Sequence, residues 1–203
     1  MPILQTAKKK VLFIHIPKTG GSSILKWFGY YGDIQLYDPI VPRFMKVTPQ
    51  HLCYHDIQTL LPFESFDYSF AVIRNPYTRL ESEYYFRTAG QQEKFGKRAD
   101  FSNWALKKLT DFKKNNFALD NHLRPQSHFI DSTISIFRYE DGLKNVQTEL
   151  MSHFEIPNSK NLPVTNKTIS KTSLHWSSEL RYTVNDIYKN DFPIFSYPII
   201  NPL

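Results

Sequence analysis

A chain of 203 residues, 41% hydrophobic and 15% aromatic with only 7 glycines, can bury a substantial core. This excludes a disordered or fibrous protein and leaves room for one α/β domain over residues 1–203. The single cysteine, Cys53, excludes an intrachain disulfide framework and a cysteine-built metal site, and points to a reducing, cytoplasmic setting. The net charge of +6, from 25 Lys and Arg against 19 Asp and Glu, favours a polyanionic ligand without choosing its class, and no apolar run is long enough to span a bilayer.

In chain order, residues 1–10 read as a flexible basic tail in which Lys8–Lys10 form a solvated cluster. Val11–Ile16 is β-branched and aromatic and short, the pattern of a buried parallel strand, and Pro17 stops it. Gly20 and Gly21 then allow φ > 0 and close approach of an anion to the backbone, while Ser22 and Ser23 open a helix whose N–H groups and dipole favour negative charge. Lys18 adds a cation. This is a recipe for holding a phosphate-like group, yet a Walker A loop would place its lysine after the last glycine, and Lys18 precedes both. The order Pro17, Lys18, Thr19, Gly20, Gly21, Ser22, Ser23 resembles the 5′-phosphosulfate loop of sulfotransferases that use 3′-phosphoadenosine-5′-phosphosulfate, PAPS.

Ser23 to about Tyr30 is expected to be helical, and Ile34–Pro49, with prolines at 39, 42 and 49, an extended connection. His51-Leu52-Cys53-Tyr54-His55-Asp56-Ile57 reads as a strand, which disfavours a helical histidine pair for metal; a histidine here is either a general base or a hydrogen-bonded structural group. Phe66–Ile73 is a second buried strand. It runs into Arg74, then Asn75 and Pro76, which suit the cap and first turn of a helix, with Ser82 two turns along. An arginine fork and a hydroxyl suit a dianionic phosphate, and the alternatives are a surface ion pair and a plain helix position.

R-N-P-Y-T-R-L-E-S-E-Y, arriving in order after the glycine loop, resembles the 3′-phosphate motif of PAPS-dependent sulfotransferases, with Arg74 and Ser82 at the phosphate positions. The pattern is most similar to the carbohydrate sulfotransferases of the Golgi type, the heparan sulfate 2-O-like group and their small bacterial relatives. That resemblance implies a P-loop-like three-layer sandwich with a central, mainly parallel sheet flanked by helices. It also implies a histidine base between the motifs, and the H-x-x-Y-x-D surroundings select His51, with His55 as the fallback.

Ala89–Asp100 reads as an exposed, mobile loop and Phe101–Asn115 as a helix with a solvated lysine face. His122-Leu123-Arg124-Pro125-Gln126 resembles a segment of the small bacterial enzymes; His122, Arg124 and Gln126 either contact the acceptor or pin their loop. Thr133–Arg138 is a strand, and Leu143, Val146, Leu150 and Phe154 make a helical core stripe. Lys167 and Lys171 lie in a stretch that resembles the late loop closing over the cofactor in relatives. Ser177 can cap a last helix bearing Leu180 and Val184, followed by an aromatic tail.

The resemblance thus implies PAPS as donor and PAP as product, with Lys18 and the loop amides stabilising the leaving phosphate and no metal required. It implies a hydroxyl-bearing acceptor such as a glycan, with no nucleic acid partner. Two alternatives stand beside it: a small-molecule kinase on a P-loop scaffold, weakened by the absent Walker A order, and a non-catalytic polyanion-binding protein, which leaves the paired motifs unexplained.

Overall fold

The β-branched and aromatic run before the glycine turn forms the centre of a five-stranded sheet. The computed structural model describes residues 1–96, 98–156, 160–163 and 173–201. In chain order the strands are β1 (Ile3–Gln5), β2 (Lys10–Ile14), β3 (Asp33–Gln35), β4 (Tyr68–Ile73) and β5 (Ser135–Arg138), and their order across the sheet is β3-β1-β2-β4-β5. β2 pairs in parallel with β4, and β4 with β5, whereas β1 runs antiparallel to both β2 and β3. The sheet is therefore mixed rather than mainly parallel: the parallel half carries the strands that end in the two motifs, and an antiparallel hairpin extends it.

That hairpin corrects the expectation of a flexible tail over residues 1–10. Ile3 and Leu4 are buried, and Thr6 and Lys9 close the turn through a backbone hydrogen bond of 2.9 Å. Lys10 is not merely solvated either, since its Nζ lies 2.6 Å from Glu64 and its backbone N–H donates to Asp67 at 2.7 Å. A three-residue strand flanked by lysines gives too weak an alternation to stand out in the sequence.

Helices α1 (Gly21–Phe28), α2 (Tyr54–Leu60) and α5 (Lys144–Phe154) belong with the sheet in one compact unit, Met1–Arg74 with His128–Asn166. Phe13 and Phe70 are cross-strand partners whose rings stack 4.7 Å apart, and they share a core with Ile24, Trp27 and Phe28 of α1 and Val146, Leu150 and Phe154 of α5. Leu12, Ile14, Ala71 and Ile73 alternate with these residues and are also buried, so β2 and β4 are covered on both faces, as near-continuous apolar strands require. By area, each fully buried large side chain contributes about 1.5–3 kcal/mol.

The second unit comprises Asn75–Ser127 and Lys167–Leu203 and is helical: α3 (Pro76–Phe95), α4 (Phe101–Lys114), α6 (Ser178–Ile187) and α7 (Asp191–Ile194). Asp100 caps α4 by accepting from Asn103 N–H at 2.9 Å, and Ser177 caps α6 by accepting from Leu180 N–H at 3.2 Å, the second as the sequence indicates. Two local expectations are corrected. Ala89–Phe95 continues α3 instead of forming a loop, because an exposed helix needs no apolar stripe. His51–Ile57 is not a strand: a single 3-10 turn over Pro49–His51 leads into α2, and Asp56 accepts from Cys53 N–H at 2.7 Å in the manner of a capping box. Ile34 also pairs within β3 where an unstructured connection was expected.

Candidate functional site

The end of β2 turns into α1 through a loop whose shape is set by two residues at positive φ. Lys18 has φ 70° and Gly20 φ 93°, so the backbone reverses twice before the helix starts at Gly21. Thr19, fully buried, donates its hydroxyl to the Ile16 carbonyl at 2.8 Å and closes the turn. A Cβ on Gly20 would come within 2.9 Å of Leu143 and 3.2 Å of Tyr139, and one on Gly21 would lie 2.2 Å from the His15 imidazole. Both glycines are therefore needed, for conformation and for space. Beyond them come Ser22, half-buried, and Ser23, buried, in the first turn of α1, where a helix directs N–H groups outside its own ladder.

The second strand end lies beside the first. β2 and β4 pair in register as parallel neighbours, Ile14 opposite Ala71, which brings Arg74 to the glycine loop. Arg74 Nη1 donates to the Lys18 carbonyl at 3.2 Å, and the guanidinium lies over the Tyr139 ring, 4.4 Å from its centre. The chain's two motifs are joined here by a hydrogen bond between residues 56 positions apart. A lysine, a guanidinium and a helix N-terminus are thus gathered at the C-terminal ends of two neighbouring interior strands, groups whose chemistry suits an anion.

His51 is 5% exposed, its ring 5.1 Å from that of His15, and its Nδ1 lies 3.4 Å from Thr48 Oγ1. His15 stacks on Phe13 at 5.4 Å and abuts Gly21, so this imidazole connects the strand, the glycine loop and His51. His55 is exposed in the first turn of α2. The two histidines occupy different helical segments and do not stack one turn apart.

Within the helical unit, α3 is opened by Asn75, whose Oδ1 accepts from Tyr77 N–H at 3.0 Å, and Ser82 is half-buried on that helix. Glu83, beside it, is buried. Burial alone would raise its carboxyl pKa, but the bond and charge of His122, and then those of Arg87, outweigh burial and hold it down to about 2. The His122-Leu123-Arg124-Pro125-Gln126 segment is held from several sides. His122 Nδ1 lies 2.7 Å from Glu83; Gln126 and Ser127 N–H groups donate to the buried Asp191 carboxylate at 2.8 and 2.9 Å; and the Arg124 guanidinium stands over the Phe117 ring. Tyr188, pushed above the ordinary phenol range chiefly by burial, donates to the Leu123 carbonyl at 2.9 Å. The Gln126 side chain is fully buried, so pinning is its observed part. Lys167 and Lys171 lie outside the described residues.

Several residues around these sites went unremarked in the sequence. His15 could have been found as a histidine leaving a strand directly into a glycine turn. Arg79, Glu83 and Arg87 could have been found by their spacing of four along one helix. Tyr139 gave no signal, because its contact with Arg74 depends on β5 lying beside β4.

No helix among the described residues is long and apolar enough to cross a membrane. No curated protein and no solved structure matches the chain. The sequence model of the sulfotransferase family matches residues 1–198. Nearly the whole chain is covered by that match, and with the glycine loop and Arg74 meeting at adjacent strand ends, the chain belongs to the sulfotransferase family, as an enzyme of the PAPS-dependent kind.

Proposed function

We propose that this enzyme moves the sulfuryl group of PAPS to a hydroxyl of a carbohydrate or other small hydroxylated molecule, by in-line transfer with a histidine as base. The observation that carries this most is the Arg74 hydrogen bond to the Lys18 carbonyl, which ties the two motifs together at the C-terminal ends of the parallel strands β2 and β4. The residues present suit the donor: a glycine turn into a helix N-terminus, a lysine, and an arginine at the end of the next strand. In this proposal Pro17 to Ser23 hold the 5′ end, and Arg74 and Ser82 the 3′-phosphate. Lys167 and Lys171 are assigned to the cofactor by motif resemblance alone.

Lys18 and the loop N–H groups stabilise charge on the phosphate oxygen that leaves, which is where such preorganised donors are worth most. His51 removes the proton of the attacking hydroxyl; its burial against His15 supports it over the exposed His55 as the group that works in a shielded site. Most of the acceleration comes from holding donor and acceptor in line. His122, Arg124 and Gln126 are the acceptor-side residues, Gln126 through the shape of its loop. The proposal takes residues 1–203 as one P-loop-like three-layer domain, working in the cytoplasm, where the buried thiol of Cys53 would stay reduced.

Incubation of the protein with isotopically labelled PAPS and a panel of glycans and small hydroxylated molecules, read by mass spectrometry, tests transfer directly. Arg74→Ala should weaken PAP binding, read as a smaller PAP-induced thermal shift. Wild-type PAP affinity in that variant would remove the phosphate assignment.

A further inference from the structure

The parallel strands β2, β4 and β5 end on the same side of the sheet, and the junction that follows β5 carries neither of the two motifs. Ile73 lies opposite Arg138 in the register of β4 and β5, so the residues that come next, Arg74 and Tyr139, leave the sheet side by side. The Arg74 guanidinium carbon stands over the Tyr139 ring, 4.4 Å from its centre. The same ring faces the glycine turn: a Cβ on Gly20 would meet it at 3.2 Å, and would meet Leu143 at 2.9 Å. A 3-10 turn over Tyr139–Asp141 follows, and Gly142, at φ 81°, donates its N–H to the Tyr139 carbonyl at 3.0 Å before α5 begins. All of these residues belong to the sheet unit.

Packing against the core would be served by any large apolar side chain at position 139. What an aromatic ring adds is a face of negative potential, which attracts a guanidinium and lets it lie flat, with its N–H donors directed outward in its own plane. Nη1 is one of those donors, reaching the Lys18 carbonyl at 3.2 Å. Ring and carbonyl are both uncharged, so they orient the fork without cancelling the positive charge, as an acid in either place would. We propose that Tyr139 is a positioning residue for the sulfuryl donor, holding the Arg74 guanidinium by its ring face in the orientation that receives the 3′-phosphate of PAPS. The proposal rests on the sulfotransferase reading and deepens it: the end of β5 joins the nucleotide site by acting through Arg74.

The test places phenylalanine and its mono-, di- and trifluorinated analogues at position 139 of the full chain, with Arg74 present and in the Arg74→Ala background, and measures PAP binding by titration calorimetry. Fluorine withdraws negative charge from the ring face and leaves the size of the side chain almost unchanged, so packing is kept while the hold on a cation weakens. Tyr139→Phe should bind PAP as the wild type does. Each added fluorine should then weaken binding, by about three- to tenfold across the series, and the trend should vanish in Arg74→Ala. If Arg74→Ala does not fold, the series in the otherwise wild-type chain decides alone. Affinity that stays flat along the series, that falls equally with and without Arg74, or that is already lost in Tyr139→Phe overturns this inference only. A wild-type chain indifferent to PAP, or an Arg74→Ala variant with wild-type PAP affinity, overturns the phosphate assignment beneath it as well.

Discussion

The glycine loop of the sheet unit and the clamped loop of the helical unit solve one problem by opposite means. In the first, shape comes from what is missing: Gly20 and Gly21 lack the Cβ that would strike Leu143, Tyr139 and the His15 ring, and the backbone supplies the chemistry. In the second, shape comes from what is added: Leu119–Asn121 are not glycines, and Arg79 and Arg87 of α3, Tyr188 and Asp191 hold the stretch from Leu119 to Gln126 by hydrogen bonds. The first loop closes its turn with a bond three residues long, Thr19 to Ile16, whereas the second is held by partners 32 or more positions away. A turn that glycine permits can therefore be written locally, whereas a run of non-glycine residues at positive φ needs a second element to hold it.

The largest effects should come from the chemistry of the first loop. Lys18→Ala is expected to lower turnover by about 10²–10³-fold, the usual loss on removing a preorganised charge stabiliser. His51→Ala should lose about 10²–10⁴-fold with PAP binding retained, since a base acts on the acceptor. If His55→Ala is inactive while His51→Ala is not, the base is His55.

Next comes the steric half of the comparison. Gly21→Ala places a methyl 2.2 Å from the buried His15 ring and should cost about 1–3 kcal/mol of stability by urea unfolding. His15→Ala should relieve much of that cost in the double variant; additive losses would show that the glycine is kept for another reason.

The clamped loop predicts a pH signature. The carboxyl of Glu83 is held down from 4.5 to about 2 in the folded state, so its contribution to stability is present above about 4.5 and is lost as pH falls through about 2. The stability difference between the wild type and Glu83→Gln, measured by denaturant unfolding, should shrink across that window. A difference that stays flat would show that the buried pair carries no such linkage. The smallest effect belongs to the cap of α3: Asn75→Ala removes the acceptor for Tyr77 N–H and should cost about 1 kcal/mol, with activity changing little if Arg74 keeps its place.

Legibility followed the same division. The strand at Val11–Ile16, the glycine turn, the second strand into Arg74 and the caps at Asn75 and Ser177 are all signals carried within a few residues, and each has its counterpart in the structure. The short strand Ile3–Gln5 lies in a stretch that reads as tail, and the start of α2 lies in His51–Ile57, which reads as a strand. In the first case three residues give no usable period. In the second an apolar Leu-Cys-Tyr run overrode the Asp56 capping signal.

By itself the sequence determined that this protein has two strand-to-helix junctions, one built on glycines, because backbone freedom at glycine and the signals that start a helix are properties of adjacent residues. Only the tertiary structure decided that Arg74 would reach the Lys18 carbonyl, that His15 would lie against Gly21 and His51, and that Glu83 would meet His122. Those contacts depend on strand order and on the packing of a loop against a helix face, which no local pattern encodes.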